Sequence, residues 1–186
     1  LTLLKEFAAL VNRELDIKDL LYEAQKLATR LLSLKTAWII LKDYVEEKFA
    51  LASEFDLPPP LTANDSEAMR WAPCRCQRML LSGELSEPVN VVQCERFERA
   101  GIAAYHASVP LKSGNRVLGL LNVVRPSGET LNAEELQTLR VIGAQLGVAI
   151  ERKELHEQVK TQRIEEQAAL FGLSSTLVGE LDLEAI

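Results

Sequence analysis

Hydrophobic residues recur at helical spacing in three parts of the chain. The first stripe lies within residues 3–11, and the second within residues 20–31. Asp16 precedes the second stripe and is predicted to be the N-cap of its helix. The longest helix is predicted to begin after Asn132, with Glu135 completing a capping box. The pattern therefore predicts two helices at the N-terminus and one long helix at the C-terminus.

Shorter apolar runs between these helices predict β-strands. They cover residues 37–42, 49–52 and 89–92, and a hairpin is predicted from residues 107–112 and 116–124. The second strand of the hairpin is apolar on both faces, which is typical of a strand in the middle of a sheet that is covered on both sides. We therefore predict an α+β fold, an α/β sandwich. Its sheet is covered by helices on both faces, and long helices lie at the N- and C-terminal ends.

The composition becomes strongly charged beyond Glu151, and a helix this polar is not buried in a globular core. Val148, Leu155, Gln162 and Ala169 recur every seven residues, as do Arg152, Val159, Glu166 and Leu173, which is a weak heptad pattern. The pattern alone fits a solvated single helix equally well. Because such a helix gains most by pairing with its symmetry mate, we predict a homodimer through this helix.

A short internal repeat suggests the domain organisation. The sequence ELDI at residues 14–17 returns as ELDL at residues 180–183, each where one helix is predicted to end and another to begin. We interpret residues 1–155 as one domain with an N-terminal helix, 156–179 as a linker helix and 180–186 as the start of a second module. The chain begins without Met, and we expect it to be a piece of a longer protein.

Charge and cysteine content narrow the class of protein. The net charge is −6, and no basic stripe is present, so we expect no nucleic-acid partner. The longest apolar run is far shorter than the roughly 20 residues that span a bilayer, so no membrane contact is expected within this chain. Three cysteines do not suit a secreted disulfide framework, which favours a cytoplasmic location.

The segment 71–83, WAPCRCQRMLLSG, contains two of the three cysteines and leaves three interpretations open. A zinc or iron–sulfur site would use Cys74, Cys76, Cys94 and His106 as ligands. A redox switch would pair Cys76, at the start of a helical turn, with Cys94 as its resolving partner. The base rate for free cysteines favours the third interpretation, in which they are small buried residues of a pocket wall.

Five residues are predicted to form a ligand pocket: Trp71, Cys76, Asn90, Cys94 and His106. Trp71 precedes the cysteines in a loop, where its ring can cover an apolar ligand and its N–H can bind a polar one. His106 begins a strand that faces the same region. The sequence does not identify a ligand or cofactor for this pocket.

Catalytic motifs are missing from the sequence. No Gly-x-Ser-x-Gly, Walker, Gly-x-Gly-x-x-Gly or His-Glu-x-x-His pattern occurs, so we expect no catalysis by this chain. His156-Glu157 matches the His-Glu pair of the phosphoacceptor motif of histidine kinases. Lys160, however, occupies the position four residues after the histidine, where that motif has Thr or Asn. We therefore interpret His156 as a histidine on a solvent-facing helix.

The order of the predicted elements resembles that of a GAF domain. The resemblance lies in residues 16–32, 37–41, 106–111, 119–123 and 131–136. It implies that residues 1–155 are a sensor domain with a central antiparallel sheet of about five or six strands and helices on both sides. It also implies a ligand pocket between the sheet and the long loop region. It also implies flanking helices that form a parallel dimer.

The cysteine region is similar to GAF domains of bacterial sensor histidine kinases, in residues 74–77, 89–90 and 94–96. The Asn-Lys and Asp-Glu signature of cyclic-nucleotide-binding GAF domains is missing, and Gln77 stands where bilin-binding relatives have a histidine after the cysteine. Neither a cyclic nucleotide nor a bilin is therefore expected as the ligand.

The expected function is small-molecule or redox sensing by a non-catalytic module of a cytosolic bacterial signalling protein. The module is expected to pass its state through a dimeric C-terminal helix to an output domain, which in the full-length protein would be a histidine kinase. The alternatives are a dimerisation scaffold with an empty pocket, a Cys/His metal or iron–sulfur sensor, and a thiol enzyme similar to the GAF-type sulfoxide reductases.

Overall fold

The computed structural model describes residues 2–13, 16–43, 48–62, 74–91 and 94–183. Its helices are α1 (Thr2–Val11), α2 (Ile17–Leu31), α3 (Arg75–Leu81), α4 (Glu95–Arg99) and α5 (Ala133–Leu183), with a short 3-10 helix at Pro59–Leu61. Its strands are β1 (Thr36–Asp43), β2 (Lys48–Phe55), β3 (Val89–Val91), β4 (His106–Ser113) and β5 (Arg116–Val124).

The five strands form one antiparallel sheet in the order β2-β1-β5-β4-β3. Strand β5 lies in the middle, and its residues 118–124 are buried without a break. A strand carries apolar side chains on both of its faces when helices cover the sheet on both sides. The predicted antiparallel sheet and the central position of its second hairpin strand are confirmed.

Two hydrophobic cores lie on opposite faces of the sheet. The first packs α1, α2 and the part of α5 up to Ile150 against one face, with side chains such as Phe7, Leu21 and Leu146 fully or almost fully buried. The second contains α3, α4 and the side chains of Trp38 and Leu120. The predicted α+β class with helices on both faces is thereby confirmed.

The helix caps predicted from the sequence are present in the structure. The Asp19 amide donates to Oδ1 of Asp16 at 2.8 Å and caps α2. Asn132 and Glu135 form the reciprocal capping box of α5, since the Asn132 amide donates to the Glu135 carboxylate at 2.8 Å and the Glu135 amide to Oδ1 of Asn132 at 3.0 Å. Local sequence therefore sets where α2 and α5 begin.

The chain divides into two compact units, Leu1–Glu151 and Arg152–Ile186. In the second unit, α5 continues to Leu183, so the helix break expected before Asp182 is not present. The assignment of residues 180–186 to a further module remains a prediction. None of the helices in the described ranges combines the length and the apolar composition that crossing a bilayer requires.

Helix α5 approaches β4 most closely at two glycines. A Cβ on Gly147 would overlap the Lys112 carbonyl oxygen and would lie 2.7 Å from the carbonyl carbon. A Cβ on Gly143 would lie 2.6 Å from Cγ1 of Val109. Backbone atoms cannot rotate aside as a side chain can, so the approach at Gly147 depends on the missing Cβ.

Gly147→Ala is therefore predicted to destabilise the domain. Helix propensity alone would stabilise it by about 1 kcal/mol. The overlap with the β4 backbone forces a shift that costs roughly 1–3 kcal/mol or more. Urea denaturation of the purified protein measures the net change. Ala144→Gly, at an exposed position of the same helix, is the control and should cost about 1 kcal/mol. A gain of stability in Gly147→Ala would show that the close approach is not a constraint.

Candidate functional site

A buried polar network lies in the second core, on one face of β4 and β5. Ser108 and Asn122 are directly opposite each other in the sheet, and the Ser108 hydroxyl donates to Oδ1 of Asn122 at 2.6 Å. Nδ1 of His106 lies 3.3 Å from the same hydroxyl oxygen, and the thiol of Cys76 is also within hydrogen-bonding reach of Ser108. We call Cys76, His106, Ser108 and Asn122 the Ser108 cluster.

The aromatic rings of Trp38 and Phe97 pack against the imidazole of His106. The ring centroid of His106 lies 5.3 Å from that of Trp38 on β1 and 5.4 Å from that of Phe97 on α4. The centroids of Trp38 and Phe97 are 5.5 Å apart, so the three rings contact one another. This apolar enclosure and full burial lower the pKa of His106 from its ordinary value of 6.5 to about 4, so the imidazole is neutral near pH 7.

The hydrogen bonds of Ser108 determine which nitrogen of His106 carries the proton. A serine hydroxyl has one hydrogen, and Ser108 uses it towards Asn122. Nδ1 of His106 therefore donates to Ser108, and Nε2 is left as an unprotonated acceptor. Nε2 of His106, Nδ2 of Asn122 and Nε2 of Gln77 are all buried, and none has a hydrogen-bond partner among the described residues.

The three cysteines are free thiols, and each is buried. Cys74 is the N-cap of α3, and its sulfur lies 3.1 Å from that of Cys76. Their mutual hydrogen bond lowers the pKa of Cys74, where Arg96 also favours the thiolate, and it raises the pKa of Cys76, as does burial. Cys94 lies at the N-terminus of α4, and burial raises its pKa to about 11.

Cys94 also lines a half-open cleft beside the second core. The cleft has a volume of about 390 Å³, and Phe97 and Ile102 contribute apolar lining while Glu98 and Glu129 contribute carboxylates. This volume is within the usual range for small-molecule sites. Through Phe97 the cleft adjoins the ring cluster of His106.

The structure brings together only part of the predicted pocket. Cys76 and His106 meet at Ser108, and Cys94 lies nearby at the edge of the Phe97 cleft. Trp71 lies outside the described residues.

Asn90 is directed to the opposite face of the sheet. It pairs with Ala107 of the first core, whereas His106 belongs to the second. Its amide accepts from the Leu131 backbone N–H at 2.9 Å and donates to the Leu131 carbonyl at 2.8 Å. These two bonds tie β3 to the start of α5, so the structure does not bring Asn90 to the Ser108 cluster.

The alternative metal site is not formed by the residues proposed for it. Cys74, Cys76, Cys94 and His106 are all described, and nowhere in the described ranges do three His, Cys, Asp or Glu side chains group as ligands of one ion. The two neighbouring sulfurs interact with each other instead. The arrangement thus gives no support to the zinc or iron–sulfur interpretation.

Several residues of the site were not singled out from the sequence. Ser108 and Asn122 are polar positions within buried stretches of β4 and β5, and Gln77 is a buried polar position on α3. Such interruptions are a usable signal, because a buried polar side chain needs a partner. Trp38 is also buried in the second core, and its contact with His106 depends on the pairing of β1 with β5, which the sequence does not specify.

The profile of the GAF domain family matches residues 16–150 of this chain. The chain belongs to the GAF family. The resemblance inferred from the strand and helix motifs is thus confirmed. GAF domains are typically sensory rather than catalytic modules, and the second core of this one holds the cysteine-rich region.

A similar protein is the sensor histidine kinase YhcY of Bacillus subtilis (strain 168). It is 35% identical over 165 residues, which cover 83% of this chain and 42% of that protein. The chain thus spans less than half the length of this relative. The GAF domain described here is related to those of sensor histidine kinases.

Solved structures of GAF domains share the fold. One is the GAF domain of a phosphoenolpyruvate-protein phosphotransferase from Coxiella burnetii, with a TM-score of 0.63, 15% identity and coverage of 84% of this chain and 95% of that one. Another is the phycoerythrobilin-bound GAF domain of a cyanobacterial phytochrome, with a TM-score of 0.62, 16% identity and coverage of 84% and 96%. The GAF domain of a putative sensor histidine kinase from Pseudomonas syringae pv. tomato has a TM-score of 0.59, 12% identity and coverage of 86% and 90%.

Burial of neutral His106 predicts a loss of stability as the pH falls. The pKa of His106 is about 4 in the folded domain and 6.5 when exposed, so between these values the unfolded chain binds more protons. The free energy of unfolding should fall by up to about 1.4 kcal/mol per pH unit below pH 6.5. Urea denaturation between pH 7 and pH 5 measures this slope.

His106→Phe keeps a ring in the aromatic cluster and should have a flatter slope than the wild type. The other histidine of the chain, His156, is exposed on α5 and provides the control His156→Gln, which should keep the wild-type slope. Equal slopes in the wild type and His106→Phe would contradict the buried, neutral state of this imidazole.

Proposed function

We propose that this GAF domain is the sensory module of a cytosolic bacterial signal-transduction protein, a histidine kinase, and that it binds a small molecule at the Ser108 cluster. The ligand changes the surroundings of β4 and β5, and α5 passes the change to the output domain. The module itself catalyses no reaction. The relationship to a sensor histidine kinase supports the signalling role.

The unpartnered polar atoms of the second core carry this proposal. A buried donor or acceptor without a partner costs about 1–3 kcal/mol. His106 offers an acceptor at Nε2, and Asn122 and Gln77 offer amide donors. A small polar ligand with both a donor and an acceptor would satisfy such atoms, and the rings of Trp38 and Phe97 beside His106 favour a flat apolar portion. A scaffold with an empty pocket would gain nothing from keeping these atoms polar.

The packing of β4 supports a route from the cluster to α5. Ser108 faces the cluster, and the next residue, Val109, points to the other side of the sheet, where its Cγ1 lies against Gly143. Lys112, on the same strand, meets Gly147 through its backbone. A displacement of β4 is therefore resisted directly by α5, because packed interiors transmit strain.

Exposed apolar residues on α5 support a dimeric helix. Leu155 and Val159 are spaced by one turn on α5 and are 52% and 49% exposed. Val148, seven residues before Leu155, is 57% exposed. A parallel partner helix would cover side chains at this spacing.

A screen for stabilising ligands tests the binding site. A compound present at about 100 times its Kd should stabilise the folded domain by about 2.7 kcal/mol, which raises Tm by roughly 5–10 °C for a domain of this size. We expect at least one compound of a bacterial metabolite library to do so with the wild type, measured by differential scanning fluorimetry. The same compound should have little effect on His106→Phe and Asn122→Leu.

Both variants must first show cooperative unfolding without ligand. Asn12→Ala, at an exposed position on the edge of α1, is the control and should respond as the wild type does. A compound that stabilises all four proteins equally would place its site elsewhere. A library without any stabilising compound would favour the empty scaffold.

Leu155→Lys tests the dimeric helix. Lysine keeps the helix propensity but places a charge in the predicted seam, so the dimer should weaken at least about tenfold in Kd, or about 1.4 kcal/mol. Analytical ultracentrifugation measures the change. Thr161→Lys adds the same charge on another face of the helix and should leave the dimer intact. An unchanged dimer in Leu155→Lys, or in a chain truncated after Glu151, would refute the coiled-coil account.

A further inference from the structure

Cys74 and Cys76 form a close pair of thiols at the start of α3. Their sulfurs are 3.1 Å apart, both residues are free thiols, and each is only 2% exposed. The sequence favoured Cys94 as the partner of Cys76, but the structure pairs Cys76 with Cys74. Two thiols that already contact each other need little rearrangement to form a bond.

The surroundings of Cys74 favour its negatively charged form. The buried guanidinium of Arg96 donates to Oε1 of Gln77 at 3.2 Å, and the backbone N–H of Cys74 donates to the same oxygen at 2.9 Å. This arrangement holds a positive charge beside Cys74, and the backbone N–H of Gln77 faces its sulfur.

The two thiols therefore differ in their acidity. The hydrogen bond from Cys76 and the charge of Arg96 lower the pKa of Cys74, whereas the pKa of Cys76 is raised by the same bond and by burial. Thiolates are the reactive form, so Cys74 is the nucleophile and Cys76 the resolving thiol.

Cys94 lacks these features. It lines the cleft beside Phe97, and burial raises its pKa to about 11, which keeps it protonated at neutral pH. A protonated, buried thiol reacts slowly with oxidants.

We propose that Cys74 and Cys76 are a redox site at which hydrogen peroxide forms an internal disulfide. The Cys74 thiolate attacks one peroxide oxygen, the O–O bond breaks, and the departing hydroxide takes up a proton to become water, which leaves a sulfenic acid on Cys74. The sulfur of Cys76 then attacks that of Cys74, the S–O bond breaks, and the released hydroxide takes the Cys76 proton to form a second water. The two thiols lose two electrons and two protons, and the peroxide is reduced.

Burial of the pair selects the oxidant by size. Both sulfurs are shielded from solvent, so hydrogen peroxide, which is nearly as small as water, is favoured over bulky disulfides. Oxidation also removes the Cys76 S–H from the neighbourhood of Ser108. The inference rests on the geometry of the thiols and does not depend on the proposed ligand.

Thiol counting and peptide mapping test this site on the purified, reduced protein. After treatment with hydrogen peroxide, the number of free thiols should fall from three to one, with a mass loss of about 2 Da. Trypsin cleaves after Arg70, Arg75, Arg78 and Arg96, so the three cysteines fall in peptides 71–75, 76–78 and 79–96. The expected product joins 71–75 to 76–78, and a dithiol reductant should restore all three thiols.

Variants of each cysteine complete the test. Cys94→Ser should be oxidised as fast as the wild type, while Cys74→Ser and Cys76→Ser should form no internal disulfide. Loss of the thiolate in Cys74→Ser should slow consumption of the first thiol by roughly tenfold or more. Cooperative unfolding of each variant before treatment shows that it is folded, and Cys74→Ala replaces any serine variant that is not.

Three outcomes would overturn the proposal. The first is a folded wild-type protein that keeps all three thiols after peroxide treatment. The second is a disulfide between peptides 76–78 and 79–96, and the third is oxidation of Cys74→Ser at the wild-type rate. An equally fast reaction with a bulky aromatic disulfide would contradict the selection by size.

Discussion

The position of β5 between β1 and β4 is the constraint on which both cores depend. Residues 118–124 of this strand have neighbours on each side and helices over each face, so each of their side chains must fit one of two interiors. Asn122 is the polar exception, and it is tolerated because Ser108, directly opposite, donates to it. Asn122 thus occupies a strand where burying a polar side chain is most costly, and its bond to Ser108 makes it part of the Ser108 cluster.

Burial is the common cause of the unusual chemistry on this face of the sheet. It holds His106 neutral and raises the pKa of Cys94 and of Cys76, because a charged form loses its hydration inside the protein. Cys74 differs, although it is equally buried, because a hydrogen bond from Cys76 and the charge of Arg96 outweigh the cost of burial. Neighbouring groups, rather than depth, decide which of the three thiols has a lowered pKa.

The helix starts, the hairpin and the fold class could all be predicted from the sequence, since each depends on residues that are close along the chain. Asp16 and Asn132 cap the helices that follow them through bonds spanning three residues. The candidate site was predicted only in part. Cys76 and His106 were predicted to share a pocket and do meet at Ser108. Asn90 was grouped with them although it faces the other core, tied to Leu131.

Periodicity and capping by themselves determined that this chain forms a β-hairpin in a sheet covered by helices and a long polar C-terminal helix, because these patterns encode local geometry. Only the tertiary structure decided that Ser108 joins His106 to Asn122, and that Cys74 rather than Cys94 is the partner of Cys76. The physical reason is strand register and burial. The register between strands that are distant in sequence determines which face of the sheet a side chain occupies. The groups that surround a buried thiol determine its pKa. Neither can be inferred from the residues adjacent in sequence.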